Sequence, residues 1–293
     1  MNRSSVNSQP LLPNIDTFIG CGASYEESET VLFGAPFDST TSFRPGTRFA
    51  PRSIRGDSWG LETYSPYQDK DLEDRKIFDS GDLELCFGDT NLALGAIEGR
   101  AEKIIADGKR PFMIGGEHLV TLGAVRAALR HYPELRIIHL DAHTDLREAY
   151  LGATLSHATV IRRCHDITGD GRIWQFGIRS GEKNEFQFAE KHNHLTKFNL
   201  DGFDDMVAAL KGYPVYFTLD LDILDPSVMP GTGTPEAGGV TFAELLAAIL
   251  KLSALNIVAA DVVELSPPYD ASGSSTAVAC KLIRELLLVI GER

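Results

Sequence analysis

The sequence predicts an α/β protein built on a mostly parallel sheet with helices on both faces. Three observations predict it. Short apolar runs alternate with longer amphipathic stretches, the pattern of successive βα units. Several of the apolar runs end in clusters of polar residues, as strands do where an open α/β sheet carries its ligand site. No repeat, low-complexity segment or Ser/Gly/Pro-rich linker divides the 293 residues, so one domain spanning 1–293 is the simplest organisation, with residues 1–13 as a flexible tail.

In chain order the expected strands are "TVLFGAP", "RKIFDSGD", "PFMIGGEH", "RIIHLDAHTD", "RIWQFGIRS", "HLTKF", "YPVYFTLDLD" and "NIVAADVVEL". Between them, "TNLALGAIEGRAEKIIADG" places apolar residues three and four apart, the helical spacing. In "TFAELLAAILKLSAL", Thr241 is positioned to cap a helix, with Glu244 three residues on to complete a capping box. The stretch "STAVACKLIRELLLVIG" supplies a closing helix.

With 43% hydrophobic and 24% charged residues, the composition is that of a soluble globular protein. No run has the length of a membrane span. The opening "MNRSSVNSQPLLPNIDTFIG" lacks the basic-then-apolar layout of a secretory signal, which points to the cytoplasm. Cys21, Cys86, Cys164 and Cys280 form no CxxC pair and read as free thiols rather than a zinc knuckle or redox site. A formal net charge of -13 argues against nucleic-acid binding and suits a small cationic substrate.

The chemistry concentrates in the strand-end clusters. In "DLD", an extended backbone would put Asp220 and Asp222 on one face, and in "DAHTD" it would do the same for Asp141, His143 and Asp145. Ionised carboxylates crowded at a buried strand end require a positive partner. With His118 of "GGEH", the two groups can enclose a pair of divalent cations. A donor set of N and O without thiolate suits Mn, Fe, Zn or Co, and two such ions can share a water and lower its pKa towards neutrality. Taken singly, "GGEH" also reads as a tight turn and "DLDILDP" as a strand-end turn with solvated acids, Asp225 before Pro226 opening it.

Taken in order, "GGEH", "DAHTD", "SHAT", "DLDILDP" and "DVVELSPPYD" resemble the ureohydrolase family of arginases and agmatinases, and the match runs from "FGAPFDSTTSFRPGTRFAPRSIR" to the last helix. The resemblance implies a single three-layer α/β/α domain with two Mn2+ per chain. It implies His118 on one metal, His143 with Asp222 on the other, Asp141 and Asp220 bridging both, and Asp145 completing the first set and orienting a bridging hydroxide. His157 matches the family's proton-shuttling histidine, with Ala158 where many relatives have Gly. Glu264 matches the acid that holds the substrate guanidinium, and Thr234 in "GTGTPEAGG" is expected to line the same pocket.

The reaction so implied is hydrolysis of a guanidinium to urea and an amine by attack of the bridging hydroxide. Arginase-type contacts to an α-amino acid end are absent, since Leu146-Arg147-Glu148 and "LGATLS" stand in their places. Together with "SPPYD" after Glu264, this resembles agmatinases, which form putrescine from agmatine. Arg147 is in tension with a dicationic substrate: it must pair with an acid such as Glu148, or else serve the carboxylate of a guanidinobutyrate-type compound. Aminopropylagmatine and arginine are further alternatives. A one-metal deacetylase-like site and a non-enzymatic binding module are the readings from other classes. By resemblance, a homo-oligomer, trimer or hexamer, is expected.

Overall fold

The computed structural model describes residues 16–290, so the tail expected at 1–13 lies outside the described residues. Each of the eight apolar runs is a strand. In chain order, with a small ribbon after the first, the strands are β1 (Thr30–Gly34), β2 (Tyr64–Ser65), β3 (Lys70–Asp71), β4 (Ile77–Asp82), β5 (Arg110–Ile114), β6 (Arg136–Leu140), β7 (Ile173–Ile178), β8 (His194–Lys197), β9 (Pro214–Asp220) and β10 (Asn256–Val263). Among the described residues, β2 and β3 pair only with each other, antiparallel. The other eight form one sheet in the order β4-β1-β5-β10-β9-β6-β7-β8. Every pairing in it is parallel.

The helices are α1 (Ala50–Ser58), α2 (Thr90–Ala106), α3 (Thr121–His131), α4 (Val160–Thr168), α5 (Lys183–His192), α6 (Phe203–Leu210), α7 (Phe242–Lys251) and α8 (Ser274–Ile290). Strand side chains alternate between two cores, as a pleat requires. Phe112, Ile138, Phe217 and Val262 face one core, shared with α1, α6, α7 and α8. Val31, Met113, Ile137 and Tyr216 face the other, shared with α2, α3, α4 and α5. The result is the three-layer α/β/α arrangement expected. Thr241 accepts the N–H of Glu244 and the Glu244 side chain returns to Thr241, the predicted capping box. None of the helices described is long and apolar enough to cross a membrane.

Leaving β5, the chain passes to β6 at a distance of three strand positions, and β10 and β9 later fill the gap. The carboxyl ends of β5, β10, β9 and β6 are thereby neighbours in the middle of the sheet, where such folds hold ligands. Gly116 makes the first of these ends possible. A β-carbon there would lie 2.0 Å from the carbonyl oxygen of Phe37, and only glycine lets the chain pass so close and deliver Glu117 and His118.

Candidate metal centre

His118 is the focus of the buried cluster. Its Nδ1 faces Asp141 Oδ2 at 3.0 Å, Asp220 Oδ2 at 3.2 Å and Asp145 Oδ2 at 3.3 Å. Its Nε2 lies 2.9 Å from Thr218 Oγ1, which fixes the ring and aims Nδ1 at the three oxygens. That Nδ1 is buried and, among the described residues, makes no hydrogen bond of acceptable geometry. A second group adjoins the first: His143 Nδ1 is 2.9 Å from Asp222 Oδ2 and 3.5 Å from Asp141 Oδ1. Asp141 therefore presents one oxygen to each histidine.

The sequence-predicted ligands do come together, but not by strand alternation. β6 ends at Leu140 and β9 at Asp220, and the residues beyond them leave the strands, Leu221–Ile223 as a 3-10 turn. Asp141 Oδ1 accepts the N–H of His143, and Asp220 Oδ1 accepts that of Asp222 at 2.8 Å. These are Asx-type turns, in which a carboxylate folds the chain back on itself two residues later. Asp145 has φ 52° and Glu264 φ 67°. Left-handed backbone is uncommon for residues with a β-carbon and recurs at functional sites.

The electrostatics call for a cation. Asp141, Asp145, Asp220 and Asp222 are all buried. Burial, then the neighbouring charges of Asp222 and Asp141, pushes Asp220 well above the carboxylate range. Burial and the charge of Asp141 raise Asp145 to about 7. Burial and the charge of Glu117 raise Glu264. An unpartnered imidazole nitrogen faced by three carboxylate oxygens is what ligands converging on a shared divalent ion look like. The residues fit a metal, and His118, Asp141, His143, Asp145, Asp220 and Asp222 are those able to hold it.

Three contributors escaped the reading from sequence. His139, two residues before Asp141 on β6, places Nε2 2.7 Å from Asp141 Oδ2. Gln175 donates to His139 Nδ1 at 3.1 Å, so the ring proton is on Nε2 and His139 holds Asp141 rather than a metal. The period-2 spacing of "HLD" was the available signal. Glu117, wholly buried, accepts from Thr40 N at 3.0 Å, Thr40 Oγ1 at 2.6 Å and Thr41 Oγ1 at 3.0 Å. Arg179 donates to the carbonyls of Asp222 at 2.7 Å and Glu236 at 2.9 Å, tying the metal-side turn to the loop that carries Thr234.

A cavity of about 290 Å³ opens over this centre, lined by His143, Asp145, His157, Asp220, Thr234 and Glu264. His157 sits in the turn before α4, and Ala158 beside it has no positive φ, so glycine is not needed there. The imidazole departs from the near-neutral value expected of a shuttle. Burial, with the cationic neighbours His143, His118 and Arg147 adding to it, lowers His157 to about 4. Glu264 accepts the N–H of His118 through Oε1 at 2.7 Å. Thr234 Oγ1 reaches Asp222 Oδ2 at 3.4 Å.

At the mouth, Arg147 is paired, though not with Glu148. Its Nη1 is 3.0 Å from Glu182 Oε1 and its Nε 3.6 Å from Glu185 Oε2. The guanidinium also lies over the Tyr150 ring at 4.5 Å. Glu148 pairs instead with Arg162 at 3.2 Å.

A family model described as "Arginase family" matches residues 28–289. The chain belongs to the arginase family. It is thus an enzyme of the ureohydrolase class, with the fold that the resemblance implied. Similar proteins within the arginase family include the agmatinase of Bacillus anthracis, 49% identical over 275 residues that cover 92% of this chain and 95% of that one. The solved agmatine ureohydrolase of Thermoplasma volcanium superposes with a TM-score of 0.88 at 34% identity, covering 95% of each chain. The mitochondrial guanidino acid hydrolase of Homo sapiens is 32% identical over 278 residues, 90% of this chain and 79% of that one.

Proposed function

We propose that this enzyme hydrolyses agmatine to putrescine and urea with two Mn2+ ions held between His118, Asp141, His143, Asp145, Asp220 and Asp222. The observation that carries the metal reading is the convergence of four buried carboxylates on His118 and His143. When bound, the ions acidify a water and supply the nucleophile, and their charge balances the four carboxylates. Glu264, whose Oε1 accepts the His118 N–H and whose side chain lines the cavity, accepts from guanidinium N–H groups, a planar match of acceptor to donor fork. In this reading Asp145 carries a proton to the leaving amine, and His157, neutral at physiological pH, accepts one from the cavity side.

The substrate tail is read at the mouth. Arg147 faces two carboxylates, Glu182 and Glu185, so this rim carries one more negative than positive charge. That surplus suits the terminal ammonium of agmatine and disfavours a carboxylate tail. A guanidino acid is the second reading, favoured by the presence of Arg147 in the cavity wall. The cytoplasmic setting, the single domain over 1–293 and assembly into trimers or hexamers belong to the same proposal, the last of them resting on the family resemblance.

The test is urea release by manganese-loaded protein from agmatine, arginine, 4-guanidinobutyrate and aminopropylagmatine in parallel, with bound manganese counted per chain. Agmatine is expected to lead, with about two ions per chain. Preference for 4-guanidinobutyrate would overturn the tail reading alone. One ion per chain, or an Asp141→Ala variant that keeps both its metal and its activity, would overturn the centre itself.

A further inference from the structure

We propose that His165, Asp170 and His192 form a separate surface metal site that takes a divalent ion of the zinc class. His165 lies in the last turn of α4 and His192 is the last residue of α5. Asp170 stands in the loop that follows α4. Its Oδ1 is 2.8 Å from His165 Nε2 and 2.9 Å from His192 Nδ1, and the three atoms lie within 4.8 Å of one another. Zinc bonded tetrahedrally to such ligands at about 2.0–2.2 Å spaces them about 3.3–3.6 Å apart, so a small movement separates the present triangle from a coordinated one.

The triangle is held from behind. Phe188 packs against both imidazoles, with ring centroids 4.8 Å from His165 and 4.4 Å from His192. The backbone fixes the loop at each end, Gly169 N donating to His165 O at 2.8 Å and Gly171 N to His192 O at 2.7 Å. Gly169 and Gly171, at φ 88° and 69°, take the left-handed turns that lodge Asp170 between the rings.

Three details favour a metal over a plain hydrogen-bonded cluster. Both ring nitrogens compete for one carboxylate oxygen, an economical arrangement for ligands and a crowded one for two N–H donors. His165 Nδ1 is buried without a hydrogen-bond partner among the described residues. Coordination through Nε2 would leave the ring proton on Nδ1, facing Asp166 Oδ1 at 4.0 Å, which also accepts from Arg162 Nε at 3.2 Å and would have to close in to back the ring. Asp170 is 69% exposed, so the fourth position opens to water. Two imidazoles and one carboxylate suit zinc, nickel or copper and ill suit the all-oxygen cations Mg and Ca.

The location gives the site a consequence. α4 starts just after the turn carrying His157, and α5 just after Glu182. A metal at the opposite ends of both helices would clip them together without touching the catalytic cavity.

The experiment uses manganese-loaded full-length protein incubated with Zn2+, desalted and analysed for both metals, beside a His165→Gln/His192→Gln double variant. Wild type should retain about one more zinc per chain than the variant, at similar urea release before zinc is added. Zinc should also raise its melting temperature by about 3 °C more than that of the variant. An Asp170→Asn variant serves as a second check and should likewise lose the extra zinc. Equal zinc content and equal melting shifts in wild type and variants would overturn the proposal, since zinc would then be held only at the catalytic centre.

Discussion

Glu117 is linked to His157 through a single hydroxyl. Thr40 Oγ1 donates to the Glu117 carboxylate at 2.6 Å, accepts the backbone N–H of His157 at 3.0 Å, and lies 3.5 Å from His157 Nδ1. Burial raises Glu117 to about 7, and in its ionised form it holds the Thr40 proton, so the oxygen then accepts from the ring, with the proton on Nδ1 and the lone pair of Nε2 towards Ser42 and the cavity. Replacing Thr40 by Val removes the acceptor while keeping the shape. The Thr40→Val variant should lose kcat by about tenfold to a hundredfold, with KM and manganese content near wild type. Steady-state kinetics with metal analysis checks this, and an equal fall in metal content would show that the hydroxyl serves the centre instead.

The depressed pKa of His157 has a signature in stability. Its value of about 4 in the folded, metal-free protein lies below the ordinary 6.5, so between those pH values the unfolded chain binds the proton and the fold resists it. The sign is set by linkage: stability rises with pH across that window and is lost as pH falls through it. Urea denaturation of chelated protein from pH 7 to pH 4 should show wild type losing up to about 3 kcal/mol relative to a His157→Asn variant. Parallel curves would mean that the ring is not held neutral.

Glu182 is expected to decide the tail preference. The Glu182→Gln substitution removes one carboxylate and releases Arg147 from its 3.0 Å contact. KM for agmatine should rise about tenfold, a loss of roughly 1.4 kcal/mol, while turnover of 4-guanidinobutyrate improves relative to wild type. Unchanged ratios between the two substrates would remove Glu182 from the recognition of the tail.

Asp225, outside the metal set, organises the loop on which Thr234 stands. Its Oδ1 accepts from Ser227 N at 3.0 Å and Ser227 Oγ at 2.6 Å, and its Oδ2 from Gly238 N at 2.9 Å and Gly239 N at 3.2 Å. These bonds hold its carboxyl down at about 2. Asp225→Ala should cost about 1–2 kcal/mol in thermal or denaturant unfolding and raise the KM for the guanidino substrate. A variant as stable as wild type, with the same KM, would show that the loop keeps its shape unaided.

Much of the fold was legible because it rests on local rules. The eight apolar runs became eight strands, and the Thr241–Glu244 pair became a cap, because continuous apolar runs and capping depend on neighbours a few residues away. The grouping of Asp141 with His143, and of Asp220 with Asp222, was also local, although the backbone achieves it by Asx turns where an extended strand was expected. The error arose at strand ends, where the sheet no longer holds the chain straight and a carboxylate can bond its own backbone.

The sequence by itself determined the layered architecture, the acids and imidazoles available for metal, and membership of a family whose motifs it carries in order. Only the tertiary structure decided which partners those groups have. Arg147 is paired with Glu182 and Glu185 rather than Glu148, His139 holds Asp141, and Thr40 reaches His157 across 117 positions. Charge pairing and tautomer choice depend on which side chains the sheet order brings within about 3 Å, and that distance is set by packing between segments remote in the chain.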